Sequence, residues 1–247
     1  MSAPAGIRGA PRRYSAREGT TWVYLWSWPL RITHWVSAVA ITVLVTTGFY
    51  IGKPYFLTTG EASQHFMMGT FRLLHFIAAG WLVAAAILRI YWLFRGNRFE
   101  HWRALFPHRK IDFDHLVQQF KAYLLIKPDE APLYLGHNPL QQVTYTLLYL
   151  VALFMFLSGF AMYGESDPQG FFHAVFTSWM APLFGGIQRV RFLHHVTTWF
   201  FVIFVPVHVY LAMRMDLLEE TGTISSIVSG GRLVRSDKKY GDGESLD

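Results

Sequence analysis

Four stretches of the chain are almost free of charge. Ile32 to Gly52, Pro139 to Tyr163 and Phe192 to Met213 carry no charged residue, and Leu73 to Phe94 carries only Arg89. A helix needs roughly 20 apolar residues to cross a bilayer core. The pattern therefore predicts an all-α fold, an integral membrane four-helix bundle. The spans are expected at about 29–52, 69–94, 139–163 and 189–219, with tails at 1–28 and 221–247. Charged residues make up only 15% of the 247, against about a quarter in a soluble protein.

The distribution of cations orients the helices. Of 22 Lys and Arg residues, 18 lie in the N-terminal tail through Arg31, between Arg89 and Lys127, or from Arg214 onward. Lys53, Arg72, Arg189 and Arg191 are the remaining four. The positive-inside rule then puts both termini and the second connection in the cytoplasm. Met1 to Thr21 lacks an apolar h-region, so no cleavable signal peptide is expected there, and the segment is expected to be disordered. The polar tail after Thr221 is expected to be mobile. "DFDHLVQQFKAYLLI" reads as an interfacial amphipathic helix. "FFHAVFTSWMAPLF" is too short to span and is expected at the outer surface. The chain has no cysteine. That excludes disulfides, cysteine-ligated iron–sulfur clusters and thioether-linked haem.

Histidines inside such apolar segments need compensation. The step from His194 to His208 is two heptads, which returns them to within about 40° of one another around the helix axis, some 21 Å apart along it. His195 points about 140° away from His208. The spacing selects His194 and His208 as an inward pair, although Pro206 can bend the helix between them. Alternating helix directions then match His75 with His194 at the outer level, and His34 with His208 at the inner level. Zinc would need about four ligands around one ion. Two histidines per level instead suit two-sided ligation of a haem iron. Each imidazole would be neutral, with its second nitrogen hydrogen-bonded to set its orientation.

Arg31, Arg72 and Arg191 each precede one of these histidines by one helical turn, in "RITH", "RLLH" and "RFLH". One turn places each Arg on the same face, towards the headgroups. There it either pairs with a haem propionate through charge-assisted bonds or snorkels to the interface. Arg89 follows His75 at the same interval as His208 follows His194, and so returns to that face at the inner level. Gly48 and Gly159 lie at matching depth. They permit close approach of a flat macrocycle or of a neighbouring helix.

"RITHWVSAVAITVLVTTG" (31–48) and "RFLHHVTTWFFVIFVPVH" (191–208) resemble the signature segments of the b-type cytochrome subunit of membrane-bound nickel–iron hydrogenases. "GHNPL" (136–140) and "GFAMYGE" (159–165) are similar to that family too. The resemblance covers roughly Tyr24 to Gly230. It implies a bundle with two b haems, the outer held by His75 and His194 and the inner by His34 and His208. It implies an anchor in the bacterial inner membrane for hydrogenase small and large subunits on the periplasmic face. Electrons from dihydrogen would pass through the outer and then the inner haem to a membrane quinone. His137 and Asn138, at the inner end of the third helix, are the candidate quinone contacts. Other readings are the cytochrome b subunit of a formate dehydrogenase or related reductase, and a haem-free transporter with a histidine proton relay.

Overall fold

The apolar stretches form four long helices in the computed structural model, which describes residues 13–17, 19–56, 66–107, 109–124, 132–219, 222–235, 238 and 240–242. They are α1 (Trp28–Gly52), α2 (Met67–Arg95), α5 (Pro139–Gly164) and α7 (Ile187–Glu219). All four are long and apolar enough to span a membrane, and at most 17% of any one apolar window is buried within the protein. Few residues of each helix are thus fully buried within the protein. The observed boundaries lie close to the expected ones. Helix α7 continues through Pro206.

Two compact units make up the chain. One comprises His34–Ile87 and Leu148–Val209. Here α1 and α7 run antiparallel. His34 faces His208, while Phe49, nearer the C-terminal end of α1, packs on His195 and Trp199. On the other side of α1, Tyr50 stacks on Phe71 of α2 with centroids 3.9 Å apart. Phe76 of α2 meets Tyr163 of α5. Ala161 of α5 and Val190 of α7 share a core with Met180. The unit is thus a four-helix bundle in which each helix touches its sequence neighbour and α7 closes on α1. A π-helical turn (His173–Thr177) and α6 (Ser178–Phe184) connect α5 to α7. They form the short, non-spanning segment expected there, with Thr177 and Met180 buried.

The other unit comprises Met1–Thr33, Leu88–Leu147 and Tyr210–Asp247. It adds a small sheet to the expected helical bundle and corrects the expectation of disorder or mobility for residues 13–17, 20–21 and 223–235. Strands β1 (Arg13–Arg17), β2 (Thr20–Tyr24) and β3 (Gly231–Arg235) form an antiparallel sheet in the order β1-β2-β3. Val23 and Val234 enter a core with Leu25, Trp26, Phe99 and Leu135. The β-branched and aromatic residues of β2 suit a half-buried pleated surface. Helix α8 (Thr223–Ser229) leads into β3. Two more helices, α3 (Trp102–Leu105) and α4 (Lys110–Tyr123), belong to this unit. Helix α4 buries Asp112, Gln119 and Ala122, and leaves Phe113, Val117 and Phe120 exposed. That apolar stripe fits the interfacial reading.

A buried carboxyl group organises the unit. Glu100 is fully buried and accepts from Ser27 Oγ at 2.9 Å, Trp92 Nε1 at 2.9 Å and the Asn97 amide at 3.3 Å, and from the Ser27 amide. Asn97 in turn donates to the Leu25 carbonyl at 2.8 Å. Nothing in the local sequence singles out Glu100 for this role.

Candidate cofactor site

The two ends of the histidine arithmetic meet in the bundle. The rings of His34 and His208 have centroids 6.4 Å apart and planes inclined at 50°. Two imidazoles on opposite sides of one metal, each bonded at about 2 Å, would put the ring centres roughly 6 Å apart. The pair fits that arrangement. His208 also stacks on Phe204, one turn back along α7, at 5.5 Å and 15°. The Nδ1 of His34 is buried and has no hydrogen-bond partner among the described residues.

The other pair is prepared differently. Thr47 Oγ1 lies 2.8 Å from His75 Nδ1, and Ser158 Oγ lies 2.7 Å from His194 Nδ1. Both hydroxyls also lie 2.7 Å from the carbonyl one turn back, Val43 for Thr47 and Phe154 for Ser158. Each hydroxyl is followed by a glycine. A methyl at Gly48 would sit 3.4 Å from His75 Cε1, and one at Gly159 would sit 3.7 Å from His194 Cε1. Those are ordinary contact distances. The imidazoles do not need the glycines for their own room. His75 rests against Thr47 and Gly48, and the step from His34 to Gly48 equals the step from His194 to His208. In an antiparallel pair this equal spacing sets His75 and His194 at one level, about 21 Å along the axes from the other pair.

His195 makes different contacts. Its ring packs edge-on against Phe49, with centroids 5.5 Å apart. It also covers Gly52, where a methyl would lie 2.8 Å from His195 Cε1. Among the described residues no group of three or more His, Asp or Glu side chains converges on a metal-sized site. The His34 and His208 rings, facing each other as two, would suit an iron that brings its own four equatorial nitrogens.

The arginines divide. Arg72 and Arg191 are exposed on their helices, and Arg191 bonds to Gln188 at 2.9 Å. Arg31 donates to the Val228 carbonyl and lies over the Trp28 ring at 5.5 Å. Arg89 is buried and donates to the Glu100 carbonyl at 3.2 Å.

"HNPLQ" is a helix start. Asn138 Oδ1 accepts from the Gln141 amide at 2.9 Å, and Gln141 Oε1 accepts from the Asn138 amide at 3.0 Å. This is a reciprocal capping box, with Pro139 in the first turn where it is tolerated. Asn138 Nδ2 also donates to Tyr123 Oη at 3.3 Å. His137 is buried between Trp26 and Tyr145, with ring centroids 4.9 Å away on each side. Burial, followed by the nearby Arg89 charge, holds the His137 imidazole down to about 3. Its Nδ1 has no hydrogen-bond partner among the described residues.

Thr47 and Ser158 escape a reading of the sequence alone. The available signal is a hydroxyl residue immediately before each glycine, in "TTG" and "LSG". Serine and threonine occur often in membrane helices, so the signal acquires meaning only once a histidine is seen against it.

Comparison with known proteins places the chain in a family. Residues 25–230 match the family model described as prokaryotic cytochrome b561. A protein of Azotobacter chroococcum mcd 1, named "Probable Ni/Fe-hydrogenase B-type cytochrome subunit", is 41% identical over 223 residues, covering 88% of this chain and 91% of its own. A relative of the same name in Cupriavidus necator is 40% identical, over 86% of this chain and 87% of its own. In Escherichia coli (strain K12) the hydrogenase 1 counterpart is 34% identical, over 85% and 90%. The chain belongs to the prokaryotic cytochrome b561 family, alongside the Ni/Fe-hydrogenase B-type cytochrome subunits that it matches over most of its length.

Proposed function

We propose that this chain is the dihaem electron-transfer and anchor subunit of a nickel–iron hydrogenase, carrying electrons from dihydrogen oxidation to a membrane quinone. His75 and His194 hold one b haem at the outer level, and His34 and His208 hold the other at the inner level. Bound haem iron supplies reversible one-electron exchange. The 6.4 Å pairing of His34 with His208 carries this reading. It is supported by the recurrence of a histidine pair two heptads away.

The protein's own groups do the rest. Two imidazoles per level would hold each haem and suit it to electron transfer rather than to binding oxygen or another small ligand. Arg72 and Arg191, exposed one turn from His75 and His194, neutralise propionates at the outer level. Arg31 and Arg89, the other two candidates, are engaged by the Val228 and Glu100 carbonyls of their own unit. The bundle lies in the bacterial inner membrane with both termini cytoplasmic. The hydrogenase small and large subunits dock on the opposite, periplasmic face.

The quinone contact is assigned to His137 and Asn138. The unpartnered Nδ1 of His137 supports the first of these. The Asn138 side chain already caps α5, so its contribution includes holding the helix start in place. The test is cofactor stoichiometry in the complex purified with its hydrogenase. Two haems per copy of this chain, reducible by dihydrogen and reoxidised by quinone, are expected. One haem or none contradicts the reading.

A further inference from the structure

We propose that Thr47 and Ser158 are positioning residues that fix the tautomer of His75 and His194 and lower the midpoint potential of the haem held there below that of the haem held by His34 and His208. The inference rests on the dihaem reading and deepens it.

A hydroxyl carries one hydrogen. Thr47 Oγ1 and Ser158 Oγ each lie 2.7 Å from the carbonyl four residues back. Both side chains are buried, at 3% and 0% exposure. With the hydroxyl hydrogen on the carbonyl, the oxygen can only accept at its second contact. The contacts to His75 Nδ1 at 2.8 Å and His194 Nδ1 at 2.7 Å are then Nδ1–H donating to oxygen. That leaves the Nε2 lone pair of each ring free for a metal. The opposite arrangement would put the ring proton on Nε2 and forbid ligation.

The same bond tunes the ligand. A hydrogen bond from the distal ring nitrogen raises the basicity of the ligating one. A more basic axial ligand stabilises ferric over ferrous iron and lowers the potential. Both imidazoles at the His75–His194 level have such an acceptor. At the other level, His34 Nδ1 has none among the described residues, and His208 is backed by the Phe204 ring. The difference makes electron transfer from the first level to the second downhill, the direction that dihydrogen oxidation needs.

The experiment is a potentiometric titration of the purified complex, unmodified and with Thr47→Val, Ser158→Ala, Thr47→Ser or both of the first two. Removing either hydroxyl is expected to raise the lower of the two haem potentials. The double variant raises it further, the higher potential stays in place, and Thr47→Ser returns the unmodified value. A lower potential that does not move while both haems are retained overturns the inference and leaves the dihaem reading intact, as does movement of the higher potential instead. Loss of one haem in Thr47→Val that Thr47→Ser restores supports a hydroxyl holding the ring. Loss in both variants points to packing alone and counts against it. An unmodified chain without two haems defeats the underlying reading.

Discussion

His34 and His208 approach to 6.4 Å between ring centroids from helices that run in opposite directions. The Nδ1 of His34 has no hydrogen-bond partner among the described residues. A flat group held between the two rings would account for the spacing. The same arithmetic that joins the two rings puts Gly48 and His194 one interval further on, where His75 is held by Thr47.

The glycines separate packing from cofactor binding. Gly52→Ala puts a methyl 2.8 Å from His195 Cε1, an overpacked contact costing about 1–3 kcal/mol. It should lower the amount of folded chain in the membrane, with haem per folded chain unchanged. Gly48→Ala and Gly159→Ala meet only ordinary contacts, and alanine is the better helix former by about 1 kcal/mol. They should leave the amount of folded chain intact and reduce haem content. Immunoblotting against membrane haem content reads both quantities.

Asn138→Ala removes one half of a capping box. A loss of about 1 kcal/mol is expected, read as a lower thermal midpoint in detergent. Quinone reduction should fall while both haems remain. Unchanged turnover with quinone would remove Asn138 from the quinone assignment and leave its capping role standing.

Acid should destabilise the chain through His137. Its imidazole titrates near 6.5 when unfolded and is held down to about 3 in the fold. The unfolded state therefore binds a proton that the folded state does not. This group's contribution is constant above about pH 6.5 and is lost as pH falls towards 3, by up to about 1.4 kcal/mol per pH unit. Thermal midpoints measured between mildly alkaline and mildly acidic pH should fall less steeply in His137→Gln than in the unmodified chain. Parallel profiles would contradict the assignment.

The helices and the approach of His34 to His208 are legible in the sequence because both follow from periodicity. Apolar length predicts the spans, and a two-heptad step returns a side chain to one face. The sheet is not legible. Thr20–Tyr24 and Gly231–Arg235 are short strands whose pairing joins the two ends of the chain, and no local pattern reveals a partner so distant. Arg31 and Arg89 illustrate a second limit. Spacing places them on the histidine face, but the Val228 and Glu100 carbonyls that hold them come from other segments. For Asn138 the local signal is complete, since an Asn-Pro-Leu-Gln run is itself a helix start.

The most direct test replaces His34, His75, His194, His195 and His208 one at a time by alanine and counts haem per chain. Each of His34, His75, His194 and His208 should cost at least one of two haems, and His195→Ala should keep both. Full haem content after loss of any of those four, or a missing haem in His195→Ala, would contradict the two-pair arrangement.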